Sequence, residues 1–258
     1  RHSLSGIFII IQTVRRLLGE HPKITIFLSI SLSIVGLAVL FSKSFFLQKD
    51  TVDFKYIWLA GQLWNESVNP YSQVFRDIGE EMFKGYNRPL YWLYPPHMWV
   101  FSRPFALLEY ETAMTWWRIL SGGLALAGIC YLAIALIKAG VKLSFMRFSM
   151  LLFFVGAMSA TSICISLGQT SIISFFAISV FIYAFLAQNK VAMTFSIFLL
   201  MLKPQIGIIF CFFLLPNRFW FGTLLVSTIA VVLLSLQPLF IDDPLVTIGN
   251  YLEILRVY

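Results

Sequence analysis

The chain has 258 residues, of which 59% are hydrophobic and only 12% are charged. A soluble domain of this length cannot cover so much apolar surface with so few charges, which excludes a water-soluble globular protein. The formal net charge is +7. Because the basic residues flank apolar runs, this charge indicates membrane topology and no nucleic-acid partner. The composition therefore predicts an all-α integral membrane protein.

The predicted spans are runs of about 20 apolar residues, the length that crosses a bilayer as a helix. Five such runs are continuous, and they lie within residues 24–42, 111–138, 145–167, 170–188 and 219–241. A further apolar segment, 191–216, is interrupted by Lys203 and Pro204. Lys190 and Arg218 flank this segment, and both favour the cytoplasm. Two half-length helices in a hairpin fit that pattern, and a single kinked span is the alternative.

The basic residues also predict the orientation, because cytoplasmic loops are enriched in Lys and Arg. Arg15 precedes the first span, and Lys142 and Arg147 lie between the second and the third. The N-terminal segment and the loop between the second and third spans are therefore placed in the cytoplasm. Residues 43–110 then form a large extracytoplasmic loop within a single transmembrane domain, residues 1–258.

Two segments of that loop, 52–66 and 95–108, have helical or apolar character but are too short to span a membrane. We expect both to lie along the outer membrane surface as juxtamembrane helices. Between them, a turn at Asn69-Pro70 is followed by a polar stretch that runs to Pro89.

Asp53 is near the start of the first juxtamembrane segment, in the sequence DFKYIWLAGQLWN. A carboxylate beside aromatic side chains at a membrane surface can act as a general base. Tyr56 shares its helix face, and the small residues Ala60 and Gly61 are predicted to leave room for a ligand. Helix capping or plain solvation is the alternative explanation for Asp53.

A second motif, YPPHMW, brings the polar edges of Tyr94 and His97 to an apolar surface. Side chains of this kind suit sugars, whose C–H faces stack on aromatic rings while their hydroxyls form hydrogen bonds. An interfacial aromatic belt is the alternative. His97 has no second His or carboxylate at ligand spacing, so no metal is predicted.

Two uncharged or nearly uncharged motifs complete the set. Gln169 lies in the turn GQTS, where a ligand-binding role and the ordinary need of a short turn for small polar residues both remain open. Lys203 and Gln205 flank Pro204 inside an apolar segment, and a charge at membrane depth normally faces a polar cavity and has a partner. An anionic phosphate is the predicted partner, and a structural ion pair is the alternative.

In this order, the motifs resemble those of glycosyltransferase family 87, whose members use polyprenol-phosphate sugars. The family belongs to the C-type superfamily, which includes the phosphatidylinositol mannoside mannosyltransferases. The matching letters between residues 53 and 218 are DFKYIWLA with NPY, YPP with RPFALL, GQTS, and KPQ. The resemblance implies a polytopic helical bundle with juxtamembrane helices in the first extracytoplasmic loop. Relatives usually continue into further spans, and the first residue here is Arg1, so the chain is expected to be a fragment or C-terminally truncated.

The resemblance also implies a function. It is the inverting transfer of a hexose or pentose, mannose-like or arabinofuranose-like, from a polyprenyl-phosphate donor to a glycolipid or glycan acceptor outside the cell membrane. Asp53 would be the catalytic base, and Lys203 and Gln205 would bind the donor phosphate. The residues expected to contact the sugar or the acceptor are Tyr56, Tyr94, His97 and Gln169. No cofactor is expected, and Phe54 in place of a second acid argues against a metal.

Two functions from other classes are the alternatives. A transporter or flippase of a lipid-linked glycan would also need aromatic side chains and an intramembrane lysine. Transporters often contain two related halves with matching broken helices, whereas this sequence contains one broken segment. A structural subunit of a membrane complex is the third possibility.

Overall fold

The computed structural model describes residues 22–46, 52–82, 91–241 and 243–257, and within these ranges it contains helices and no strand. The prediction of an all-α protein is therefore confirmed. Two short 3-10 helices cover Pro96–Met98 and Arg218–Trp220. The α-helices, in chain order, are α1 (Pro22–Phe46), α2 (Val52–Asn65), α3 (Gln73–Met82), α4 (Trp99–Ala106), α5 (Tyr110–Lys138), α6 (Phe145–Ala157), α7 (Ser159–Leu167), α8 (Ser171–Ala187), α9 (Lys190–Leu200), α10 (Pro204–Leu214), α11 (Phe221–Leu239) and α12 (Pro244–Val257).

Helices α1, α5 and α11, the last together with the 3-10 turn before it, are long and apolar enough to cross a membrane. Helices α6 and α7, with 13 and 9 residues, are each too short to meet this criterion. They meet it as a pair, and their axes bend by 54°. The predicted continuous span 145–167 is thus broken at Met158, whose backbone is extended. Just before the break, Gly156 lies directly against the backbone of Gly36 in α1, where a Cβ would come within 2.5 Å of the Gly36 carbonyl oxygen.

Helices α9 and α10 form the hairpin, not the kinked span. At one end, the Lys203 Nζ donates to the Ser171 hydroxyl, 2.7 Å away, at the start of α8. At the other end, the Lys190 Nζ lies 4.5 Å from the centre of the Phe219 ring. Helix α9 begins at Lys190, just after the end of α8, and runs back towards the start of α8, where Lys203 contacts Ser171. Helix α10 then runs in the opposite direction, so that Phe219, which follows it, lies beside Lys190.

The turn of the hairpin depends on a close approach of its two arms. Pro204 occupies the first helical position of α10, where its missing N–H would have no helical partner anyway. One turn later, a Cβ on Gly207 would lie 2.6 Å from the Met201 sulfur and 3.0 Å from the Leu200 backbone. Glycine therefore lets the start of α10 pack on the end of α9, which places Lys203 at the tip of the hairpin.

Helices α2 and α4 pack closely against each other, and both were predicted as helical. Three side chains on one face of α2 donate to carbonyls near the end of α4, which have no partner within that helix. The bonds run from Trp58 to Leu108 (3.1 Å), from Gln62 to Ala106 (2.5 Å) and from Asn65 to Arg103 (3.3 Å). The prediction that Ala60 and Gly61 leave room for a ligand is wrong. Ala60 is fully buried, and a Cβ on Gly61 would overlap the carbonyl of Ser102 in α4.

Helix α4 also forms a hydrogen bond to α11, at a backbone carbonyl of α11 that has no donor within its own helix. Pro238 lies inside α11 and has no N–H, so the Leu234 carbonyl four residues earlier lacks its usual hydrogen bond. The Trp99 Nε1 of α4 donates to this carbonyl at 2.6 Å. The hydrogen bond fixes α4 to α11 of the bundle.

Helix α3 falls within the stretch that was predicted only as polar, and its Phe75 is buried. Before it, the Asn69 side chain accepts from the Tyr71 N–H at 2.9 Å, which closes the turn. The same side chain donates to the Thr247 hydroxyl of α12 at 3.1 Å. The loop and the last helix are thus joined at the NPY motif.

Candidate active site

The turn between α7 and α8, residues 168–171, packs against the start of α2. Gly168 has a φ of +72°, a conformation that suits glycine, and its carbonyl accepts from the Trp117 Nε1 at 3.0 Å. A Cβ at Gly168 would lie 2.5 Å from the Cβ of Phe54. The turn is therefore held against the residue that follows Asp53.

The same turn binds two of the predicted site residues. The Tyr94 and Thr170 hydroxyl oxygens are 3.1 Å apart, within hydrogen-bond distance. The next residue, Ser171, accepts the hydrogen bond from Lys203. One uncharged turn thus gathers a phenol from the segment between α1 and α5 and an ammonium from the tip of the α9–α10 hairpin.

Asp53 interacts electrostatically with the two side chains that this turn binds, Tyr94 and Lys203. Its side chain is half-buried, and its negative charge acts on both Lys203 and the Tyr94 hydroxyl. Burial, reinforced by Asp53 and opposed by the hydrogen bond with Thr170, raises the pKa of Tyr94 to about 12. The phenol therefore stays protonated at neutral pH and can donate to an oxygen.

Tyr94 is fixed from its other side by Tyr71, the last residue of the NPY motif. The Tyr71 hydroxyl donates to the Tyr94 carbonyl at 2.7 Å, and the Trp92 ring lies 4.9 Å from the Tyr94 ring. Sequence reasoning noted NPY but gave Tyr71 no role. Its contribution is to position Tyr94.

Gln169 is half-buried in the same turn and accepts a hydrogen bond from the Cys164 thiol through its Oε1 at 3.3 Å. The amide nitrogen of Gln169 is a donor that this bond does not use. Gln169 thus lies in the same turn as the partners of Tyr94 and Lys203.

Three other predicted residues make their contacts elsewhere or lie at the edge of the group. His97 is 1% exposed, its Nδ1 is 3.3 Å from the Ser235 hydroxyl of α11, and burial lowers the pKa of His97 to about 4. Its Nε2 has no hydrogen-bond partner among the described residues. Tyr56 is half-buried one turn after Asp53, and Gln205 is exposed in the first turn of α10.

Sequence reasoning missed Arg118, which lies inside α5 and is 6% exposed. The span 111–138 was defined by its apolar residues, so the single arginine within it drew no comment. Arg118 follows Trp117, which donates to the turn 168–171, named here the active-site turn, and this proximity could not be predicted from sequence spacing.

An all-helical membrane protein with an acid, a cation and neutral polar side chains grouped at one turn is compatible with several classes of membrane enzyme. A family model described as Glycosyltransferase family 87 matches residues 92–255, more than half of the chain. The chain belongs to this family, and it is a membrane glycosyltransferase. Comparisons with curated proteins and with solved structures give no match.

The matched range differs from the range over which the motifs resemble the family. It begins after Asp53 and Tyr56, and it continues beyond Arg218 through α11 and most of α12. The predicted site residues inside it are Tyr94, His97, Gln169, Lys203 and Gln205. The family assignment therefore rests on the bundle and the second juxtamembrane helix, and it does not test the role of Asp53.

Proposed function

We propose that this enzyme transfers a hexose or pentose, mannose-like or arabinofuranose-like, from a polyprenyl-phosphate donor to a glycolipid or glycan acceptor. The reaction takes place on the extracytoplasmic face of the cell membrane and inverts the anomeric carbon. One observation carries the proposal. The turn 168–171 packs against the start of α2, where Asp53 lies, and binds Lys203 through Ser171.

In this mechanism, Asp53 accepts the proton of the acceptor hydroxyl while that oxygen forms a bond to the anomeric carbon. The bond from this carbon to the phosphate oxygen breaks, and polyprenyl phosphate leaves with the electron pair. Lys203 neutralises the charge that develops on the leaving oxygen, a role that is strongest where water is excluded. A single displacement of this kind inverts the anomeric centre.

Tyr94 and Gln169 are the side chains best suited to hold the transferred sugar. Both present hydrogen-bond donors at the turn that also binds Lys203. Tyr56 and Gln205 lie at the edge of the group and are proposed to contact the acceptor and the donor phosphate, respectively. His97 contributes through packing in the ligand-free protein.

An apolar groove of about 480 Å³ between α4 and α5 supports a polyprenyl donor. Its walls include Phe105, Trp116 and Leu120. The Phe105 ring lies 6.1 Å from that of Phe54, the neighbour of Asp53. A polyprenyl chain in this groove would thus begin beside the proposed catalytic base.

We expect Leu120→Trp to fill the groove and raise the KM for a decaprenyl-phosphate sugar about tenfold, the effect of losing one or two buried isoprene methylenes. A donor with only two isoprene units should be used as well as by the wild type. Ile229→Trp, at a lipid-facing position of α11, is the matched control. Equal kinetics of wild type and Leu120→Trp on the long donor would exclude this groove.

The donor class is tested with the full-length protein in nanodiscs. Radiolabelled sugar should pass to a membrane glycolipid extract from decaprenyl-phosphate mannose or decaprenyl-phosphate arabinofuranose, and from neither corresponding sugar nucleotide. Transfer from a sugar nucleotide alone would contradict the proposal.

The orientation is tested by cysteine labelling in a background without native cysteines. A membrane-impermeant maleimide added to intact cells should label Ser72→Cys, in the loop before α3, and should leave Lys142→Cys unlabelled until the membrane is opened. Labelling of position 142 in intact cells would reverse the topology.

A further inference from the structure

Arg118 is a buried cation in the helical bundle, and it has no acidic partner in the part of the chain that the structure describes. It is 6% exposed, and its Nε has no hydrogen-bond partner among the described residues. The sequence contains no Asp or Glu between positions 112 and 241, and none in α1. None of the helices from α6 to α11 can therefore supply a carboxylate to this guanidinium.

The depth of Arg118 makes an unpaired charge unfavourable. The residue lies eight positions after Tyr110, or about 12 Å along the axis of α5. Charged side chains at membrane depth normally face the bundle interior and interact with a partner. Since no described carboxylate is paired with this guanidinium, we look for its anion in a ligand.

The position of Arg118 connects it to the active-site turn. Its neighbour Trp117 donates to the Gly168 carbonyl. One turn along the same face, Gly122 faces Phe41 of α1, and one turn further Ala125 belongs to a buried cluster with Ile165. Arg118 therefore faces the region between α1 and the end of α7.

Cys164 links this region to the other cation. It packs against the Ala125 cluster, bonds to Gln169, and is close enough to Lys203 to interact with it electrostatically. Cys164 thus packs against the face of α5 that carries Arg118 and also interacts with Lys203 at the tip of the hairpin.

We propose that Arg118 is a second ligand of the donor phosphate and binds it from the α5 side, opposite Lys203. The guanidinium offers a planar pair of donors that matches two phosphate oxygens, whereas an ammonium interacts as a point charge. The inference rests on the proposed function, because it assigns the bound anion to the polyprenyl-phosphate donor. The phosphate of a bulk lipid has the same chemistry and is the competing source.

The test measures binding without transfer. The full-length protein is placed in phosphatidylcholine nanodiscs, and decaprenyl phosphate binding is measured by native mass spectrometry for wild type, Arg118→Lys and Arg118→Met. Arg147→Met, an exposed arginine at the start of α6, is the matched control. We expect Arg118→Met to weaken binding about 10- to 100-fold, the usual effect of losing a charge-assisted hydrogen bond. Arg118→Lys should weaken it less, and the control should not change it.

Uncharged decaprenol and the ligand-free melting temperature separate phosphate binding from a structural role. Decaprenol should bind equally to all variants. Removal of an unpaired buried charge should leave the ligand-free Tm of Arg118→Met unchanged or higher, whereas loss of a structural contact would lower it. Wild-type binding of decaprenyl phosphate by Arg118→Met, or an equal loss of decaprenol binding, overturns the inference. The inference is also overturned if phosphatidylglycerol competes for the Arg118-dependent site as well as decaprenyl phosphate does.

The result is independent of whether the enzyme uses the donor. Binding of decaprenyl phosphate through Arg118 without any sugar transfer would overturn the proposed function and leave the phosphate site. Normal transfer with an unchanged donor KM in Arg118→Met would overturn the phosphate site and leave the proposed function.

Discussion

Replacing Asp53 by Asn is expected to lower turnover on a polyprenyl-phosphate sugar by about 10² to 10⁴-fold, the usual contribution of a general base. The amide keeps the size and shape of the carboxylate but cannot accept the proton of the acceptor hydroxyl. Binding of the donor should stay close to the wild-type level, because Asp53 acts on the acceptor. The measurement is single-turnover transfer by the full-length protein, together with donor binding by native mass spectrometry.

Asp77→Asn is the control for this substitution. Asp77 is an exposed acid of α3, where its carboxylate accepts from the Gln73 side chain at 2.8 Å, one turn away on the same helix. Its removal changes the net charge of the loop by the same amount as Asp53→Asn and should leave turnover unchanged. Wild-type turnover of Asp53→Asn would remove Asp53 from the mechanism, and an equal loss in both variants would indicate a general effect of charge.

Three of the five continuous spans, 24–42, 111–138 and 219–241, and the hairpin could be predicted because the membrane imposes strict rules on sequence. Charges are rare in the apolar core, so Lys190 and Arg218 mark the ends of the interrupted segment and Lys203 marks its tip. The bend at Met158 follows no such rule. It depends on the packing of Gly156 against Gly36, which lies 120 positions earlier in a helix that the sequence does not show to be adjacent.

The group around the active-site turn could be predicted only in part. The motifs identified Asp53, Tyr94, Gln169 and Lys203, but not the bonds that join them. The Tyr94–Thr170 pair spans 76 positions and the Lys203–Ser171 pair spans 32. Conversely, the small residues of α2 looked suited to a ligand, although they accommodate α4. A short side chain gives the same sequence signal whether a substrate or a helix occupies the space.

Replacing Lys203 by Ala is expected to weaken donor binding and to lower turnover about 10² to 10³-fold, the range measured for loss of one oxyanion-stabilising donor. The ammonium has three hydrogen-bond donors, and Ser171 uses one of them in the ligand-free protein. The others remain for phosphate oxygens. Both parameters should change, since the phosphate is already charged in the ground state and gains charge on the leaving oxygen.

Steady-state kinetics on a decaprenyl-phosphate sugar distinguish this role from simple attraction of an anion. Lys190→Ala is the control, because Lys190 lies at the opposite end of the hairpin beside Phe219 and should not affect kcat. If Lys203→Ala raises KM and leaves kcat unchanged, the lysine binds the donor equally in ground and transition states and does not assist departure of the phosphate. If Lys203→Ala lowers kcat and also weakens donor binding, the charge stabilisation is assigned to the tip of the hairpin. If Asp53→Asn lowers kcat and leaves donor binding normal, the proton transfer is assigned to α2.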